Sequence, residues 1–432
     1  MRVVVHGSGL TALVTAAVLA GSGRTVQLVC GSDNAVADIR SGHLPFAEPG
    51  LTEALSAART QSRLDVVPSF VPDTGGAAGS VHFLAWQPEE LPQVDALLTI
   101  IAGDAGDLLL VNQVNFGVGI TDGFAARLQA LRAGKGVRTA ALCLPDFLRR
   151  GTALENFRNP DRIIIGTGEA WAGQILRGLL EPLAGHPVPV LSMPARDAEF
   201  TKQAVNGMLA TRLSYMNDMA NVADALGIDV ENVRLGVGSD ERIGSHHLHP
   251  GCGFGGTGFY QDLLSLKSTL DDSGVASKLV DTAIAVNEEQ KELLFRILWR
   301  HYRGALAGRT VAIWGVAFKP DTDRVDHAPS LRIVSALLAQ GVQVRAHDPK
   351  ALGQLQAQLG THAGLTLCND AWDAAGGADA LLVLTEWQQY RQPDFARLAK
   401  VLKTPVLLDG RNLYDPAALR AAGFAYYGVG RR

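Results

Sequence analysis

The sequence predicts an α/β protein: two doubly wound parallel-sheet domains joined by a long central helical segment. Three observations carry that expectation. Short apolar runs of strand length alternate with helical segments over residues 1–195, helical periodicity dominates 196–302, and the alternation resumes over 303–432. A chain of 432 residues is also longer than one ordinary core serves, which agrees with several domains.

In order, residues 2–6 (RVVVH) and 25–29 (TVQLV) read as buried strands around an Ala-rich helix at 10–20, a β-α-β opening. Strands are expected next at 81–85 (VHFLA), 107–111 (DLLLV), 138–142 (RTAAL) and 162–166 (RIIIG). From 197 to 226 apolar residues recur at spacings of three and four, the mark of a long amphipathic helix, and a second helical block runs over 260–302. A strand at 310–315 (TVAIWG), a helix near 329–340, and strands at 342–348 (VQVRAHD), 380–386 (ALLVLTE) and 405–410 (PVLLDG) form a second β-α-β domain. No repeat of fixed period links the halves, so the duplication is architectural.

Composition excludes several classes. The net charge of −4 offers no basic surface for nucleic acid or acidic lipid. The first residues read as strand, turn and helix rather than a signal peptide, because VVV comes first and glycines interrupt at 7 and 9. No apolar run approaches the roughly eighteen residues of a spanning helix. A cytoplasmic protein without membrane or nucleic-acid partners is expected. Cys30, Cys143, Cys252 and Cys368 are widely spaced without a C-x-x-C pair, which predicts no metal site and no disulfide framework.

Gly7-Ser8-Gly9-Leu10-Thr11-Ala12 fits G-x-G-x-x-A between a strand and a helix, the turn that rests a pyrophosphate on a helix N-terminus in Rossmann-like domains. NAD or NADP is therefore expected on Gly7, Ser8, Gly9, Leu10 and Thr11. The acid that usually ends the second strand and holds the ribose is missing: the strand runs out as Val29-Cys30-Gly31-Ser32-Asp33. Asp33 lies further along, and the Ser32 hydroxyl suits a 2'-phosphate; a domain that has lost or changed its dinucleotide is the competing reading. A second glycine-rich stretch, GCGFGGTGFYQD at 251–262, has five glycines in eight residues, a loop whose backbone approaches a ligand closely. Lys202 and Asn206, four apart, share a helix face; as a solvated pair they would mean nothing.

The ordered set HLPFAEPGL, PDFLRRGTA, NPDRIIIG, the helix with Lys202 and Asn206, DERIG, PGCGFGGTGFYQD, VNEEQK, GVAFKPDTD, APSL, TEW and DGRN resembles the UDP-glucose/GDP-mannose dehydrogenase family over almost the whole chain. The resemblance implies an N-terminal dinucleotide domain, a central helical dimerisation segment carrying the substrate loop, and a C-terminal domain that grips a nucleotide-diphosphate sugar, with a UDP-sugar favoured and a homodimer expected. It places Lys202, Asn206 and Asp262 around the sugar C6, with Lys202 steadying an oxyanion and Asp262 acting as base with a water. Asp146, Phe147, Leu148, Phe254, Gly255, Gly256, Lys319 and Arg411 would bind substrate, and Arg242 would reach it across the dimer.

Members of this family oxidise the C6 alcohol to a carboxylate with two NAD, through a thiohemiacetal on a cysteine in a pattern like G-F-G-G-S-C-F-P-K-D. The nucleophile position here is Gly258, and the neighbouring lysine is Gln261. The family's R-E-G glutamate is Arg150, its catalytic threonine falls at Asn115, the T-P stretch reads Trp86-Gln87-Pro88, and D-D-M-R reads Asp323-Arg324-Val325-Asp326. Cys252, six residues upstream, is either a displaced nucleophile or, as is commoner, a buried structural thiol. Three functions remain open at this level: a nucleotide-sugar oxidoreductase with an altered site that stops after two electrons, a non-catalytic homologue that binds a nucleotide sugar and regulates or partners an active enzyme, and a non-redox nucleotide-sugar enzyme such as an epimerase.

Overall fold

The computed structural model describes residues 1–46, 48–76, 78–183 and 186–431. Two compact units divide the chain, Met1–Ala204 and the part from Val205 onward.

The first unit is built on an eight-stranded sheet: β1 (Arg2–His6), β2 (Val26–Val29), β3 (Leu64–Val67), β4 (Ser80–Leu84), β5 (Leu108–Asn112), β6 (Thr139–Cys143), β7 (Ile163–Gly166) and β8 (Val190–Met193). Their order is β3-β2-β1-β4-β5-β6-β7-β8. Pairing is parallel except between β6 and β7, which meet antiparallel at Cys143 and Gly166, so the sheet departs from the all-parallel expectation at one seam. The continuous apolar runs follow from burial on both faces: Val3 and Val5 join one core cluster while Val4 joins another on the opposite side. β3 and β8 escape sequence reading because they lie at the sheet's two edges, and their patterns (LDVV, VLSM) hold few inward apolar positions.

Strand order reverses between β1 and β4, which opens a crevice at the strand ends, the usual place for a ligand in such a sheet.

The second unit carries a six-stranded, wholly parallel sheet of β9 (Thr310–Trp314), β10 (Gln343–His347), β11 (Leu365–Leu367), β12 (Ala380–Val383), β13 (Val406–Asp409) and β14 (Ala425–Gly428), ordered β11-β10-β9-β12-β13-β14. Its centre includes Trp314, which stacks on Tyr390 at 5.2 Å. The turn after β9 differs from that after β1. Asp348, just past β10, accepts the N–H groups of Val316 and Ala317 at 2.7 and 2.9 Å and the indole of Trp387 at 3.0 Å. The turn's donors are thus already satisfied by the chain's own carboxylate.

The helix expected at 197–226 spans Ala195–Leu226. The single block expected at 260–302 is instead three helices, Phe259–Asp272, Lys278–Gln290 and Leu293–His301. The first break falls at Ser273-Gly274, where Gly274 takes a left-handed φ of 73°.

Candidate functional site

In the first unit the turn after β1 is formed as a dinucleotide turn. Gly7 has φ 133°, and a Cβ there would lie 2.5 Å from the Ala85 carbonyl oxygen, so no other residue fits. The helix Leu10–Gly21 starts at Gly9 with no side-chain cap and no acid in its first turn, which leaves its free N–H groups for an anion. The phosphate half of a dinucleotide therefore fits. The ribose half fits less well: Cys30 is buried, with its thiol pushed up to about 11 by burial, and Ser32 spends its oxygen capping the helix Asp33–Ser41 by accepting Ala35 N–H at 3.2 Å. Gln87, in the strand-end segment facing the turn, brings its amide Nε2 within 2.8 Å of where a Gly9 Cβ would stand.

The segment after β6 lies beside this turn. Thr11 Oγ1 donates to Asp146 Oδ2, and Asp146 Oδ1 accepts Leu148 N–H at 2.6 Å. Asp146, Phe147 and Leu148 line a cavity of about 150 Å³ with Gln113, Asn156 and Arg162. Two cations approach the Phe147 ring, Arg162 at 4.7 Å and Lys202 at 5.0 Å from its centroid. Arg150 stands over Phe46 at 5.4 Å, and Asn115 accepts from Gln203 at 3.3 Å.

The second unit holds the glycine-rich loop. Asn287 clamps it on both sides, accepting Phe254 N–H at 2.8 Å and donating to Phe254 O at 3.0 Å. Gln290 donates to Gly251 O, Asn217 accepts Gly251 N–H, and Gly256 N–H bonds to Asp326 O. Gly255 lies against the His327 carbonyl and Gly256, at φ 100°, against the Phe318 ring. Lys319 is 5.9 Å from that ring's centroid, which brings the lysine beside the loop.

Arg411 donates to Gly253 O at 3.2 Å and Leu384 O at 2.7 Å and pairs with Glu386 at 3.3 Å; its Nη2 is buried with no hydrogen-bond partner among the described residues. Arg242 is not with this group: it is highly exposed and paired with Asp240 at 2.6 Å.

Asn206 Nδ2 donates to Asp262 Oδ2 at 2.5 Å, which joins two of the three expected catalytic residues. Gly258 caps the helix Phe259–Asp272 at φ −90°, and a Cβ built there would meet nothing within 4 Å. Cys252 is fully buried, its thiol raised by that burial, and it packs against Gly410. Such a thiol is inert.

Comparison with known proteins decides the lineage. The NAD binding domain of the UDP-glucose/GDP-mannose dehydrogenase family matches residues 1–85, its central domain 196–289 and its UDP binding domain 312–416. The chain is 41% identical to a UDP-glucose 6-dehydrogenase of Pseudomonas aeruginosa, an alignment covering all of this chain and 98% of that one. It belongs to the UDP-glucose/GDP-mannose dehydrogenase family. A UDP-glucose 6-dehydrogenase of Rhizobium meliloti is 31% identical with both chains covered completely. The solved UDP-glucose dehydrogenase of Pyrobaculum islandicum superposes with a TM-score of 0.88 at 30% identity, over all of this chain and 98% of the other.

Within this family frame, some contributors went unrecognised in sequence. Asn287 lies in VNEEQK, a stretch matched to the family as a whole without a role for that residue. Tyr260 hydrogen-bonds Glu288 at 2.7 Å, and Lys291, almost wholly buried, pairs with the same carboxylate at 2.6 Å and covers the Tyr260 ring at 4.3 Å. Burial lowers the Lys291 ammonium, the carboxylate holding it only in part. This polar group underlies the loop, and its signal was the carboxylate and lysine three apart on one helix face. No helix among the described residues is long and apolar enough to cross a membrane, and no group of three metal-binding side chains occurs among them.

Proposed function

We propose that the protein binds a nicotinamide dinucleotide and a UDP-sugar and oxidises a sugar alcohol by two electrons, stopping at the aldehyde. The observation that carries this reading is a formed dinucleotide turn in a chain whose residue 258 is glycine. A bound dinucleotide supplies the hydride acceptor. By the family resemblance, Lys202 steadies the oxygen as it gains negative charge, while Asp262, oriented by Asn206, takes the hydroxyl proton through a water. Going on to a carboxylate needs a thiol adduct or a hydrate at the aldehyde carbon. Glycine supplies no thiol, and Cys252 is sealed in the core.

On the sugar-nucleotide side, the buried Nη2 of Arg411 and the ammonium of Lys319 support recognition of a diphosphate beside the clamped loop. Met208, Tyr215 and Val222 recur every seven residues along the long helix, all exposed, which supports a homodimer formed through it. Arg242, exposed and paired with Asp240 on its own surface, is then available to a second copy.

Incubation with UDP-glucose and either NAD or NADP, with reduced dinucleotide measured by absorbance and products by mass spectrometry, tests the reading. One reduced dinucleotide per aldehyde is expected; two per sugar, with a uronate as product, refute it. A second reading, a non-catalytic nucleotide-sugar binder, is favoured by Gln87 covering Gly9 and by the missing acid at Cys30. UDP-glucose binding without any dinucleotide binding would select it.

A further inference from the structure

The helix Leu10–Gly21 that follows the dinucleotide turn is apolar except for Thr11 and Thr15. These two lie four apart and so share one face. Each makes a side-chain hydrogen bond to a residue lining the same cavity: Thr11 to Asp146, and the Thr15 hydroxyl to the Gln113 amide at 3.2 Å. Thr15 is fully buried and Gln113 nearly so. Breaking the Thr15 rung would leave buried polar groups without partners, whereas the Thr11 rung is only partly buried; together they hold the helix and the cavity wall against one another.

We propose that this two-rung polar seam couples the two ligand sites, with Thr11 and Asp146 as positioning residues through which dinucleotide binding arranges the segment 146–148 for the sugar nucleotide. The inference rests on the proposed function, because it needs both ligands to bind. Thr11 stands in the first helical turn, whose N–H groups receive a dinucleotide phosphate. A phosphate seated there fixes the turn and with it the Thr11 hydroxyl. The hydroxyl holds one oxygen of Asp146, and the other oxygen of that carboxylate holds Leu148 N–H at 2.6 Å. The arrangement of Phe147 and Leu148 is thereby set before the sugar nucleotide arrives. Linkage makes the effect reciprocal: the sugar nucleotide raises dinucleotide affinity by the same factor.

The test is calorimetric titration of NADH, which cannot oxidise the sugar, into the full chain with and without saturating UDP-glucose, the readout being the ratio of the two dissociation constants. That ratio is insensitive to a uniform loss of affinity from a structural change. The wild-type ratio is expected to be about fivefold or more. Thr11→Val should bring it close to one, Thr11→Ser should restore it, and Asp146→Ala should remove it from the other end should the valine variant fold poorly. A wild-type ratio of one with both ligands bound, or an unchanged ratio in Thr11→Val, overturns the coupling and leaves the proposed function standing. Failure of NADH or UDP-glucose to bind the wild-type chain removes the proposed function, and the coupling with it.

Discussion

At position 258 the backbone is ordinary and the space in front of it is open, whereas at position 256 neither holds. Gly256 has φ 100°, with the Phe318 ring 2.6 Å from the site of a Cβ. Gly256→Ala is therefore expected to cost roughly 1–3 kcal/mol, through backbone strain and displacement of the ring, and to weaken UDP-glucose binding. Gly258→Cys should change stability by no more than about 1 kcal/mol, since only a helix-capping preference is at stake. Denaturant unfolding of the two variants measures the contrast. The added thiol should also react with a thiol reagent in the folded protein, unlike the buried Cys30, Cys143 and Cys252. A Gly258→Cys protein that is strongly destabilised, or whose new thiol is unreactive, would show that the space is closed in solution.

Secondary elements carry a buried polar relay that no proposed role uses. His6 at the end of β1 bonds His82 on β4 at 3.0 Å, and His82 bonds Asp104 at 3.1 Å, with Ser80 donating to the same carboxylate at 2.6 Å. Burial holds both histidines below their ordinary value, His6 well below it. Burial alone would raise Asp104, but the hydrogen bonds from His82, Ser80 and Asp73 outweigh it and bring the carboxyl down to about 2.

The sign for the histidines follows: folded, they stay neutral where the unfolded chain takes up protons, so their contribution is complete above about pH 6.5 and falls as the pH drops. Each proton adds a slope of about 1.4 kcal/mol per pH unit. Asp104 acts in a lower window, its contribution present above about pH 4 and lost toward its folded value. Denaturant unfolding from pH 8 to 5 should show this loss, and a His6→Gln/His82→Gln protein should show a flatter profile. An equal slope in both would mean that other histidines, such as His347, set the acid response.

The loop clamp belongs to the same scale. Asn287→Ala strips partners from Phe254 N–H and C=O together, and is expected to cost about 1–3 kcal/mol and to weaken UDP-glucose binding in a thermal-shift titration.

For the whole molecule, two units with separate cores predict that the dinucleotide and the UDP group each stabilise a different unit. One core cluster draws its residues only from Met216 onward, and the two flanking the first sheet only from residues before 181. Hydrogen exchange should therefore slow within residues 1–204 on adding NAD and within 205–431 on adding UDP, since each ligand stabilises the unit that binds it. Protection by UDP confined to the first unit would contradict the assignment of the diphosphate to the loop, Lys319 and Arg411.

The sequence by itself determined the two α/β sheets, the long helix to within a few residues at each end, the turn at Gly7 and the lineage. Those features are local: strand hydrophobicity, helical spacing and glycine-rich turns are written in contiguous residues. Edge strands such as β8 were not legible, because an edge has only one neighbour and little apolar demand. Within the helical block at 260–302 the first break carries a local stop signal, Gly274 in a left-handed turn, whereas the break between Gln290 and Leu293 retains polar, helix-compatible residues and is not marked in the sequence. Only the tertiary structure decided that Asn287 clamps Phe254, that Thr11 meets Asp146, that His6, His82 and Asp104 form a relay, and that Cys252 is sealed. Each of these joins residues at least 22 positions apart. Which hydroxyl finds which carboxylate is fixed by strand register and packing, and no local pattern in the chain encodes it.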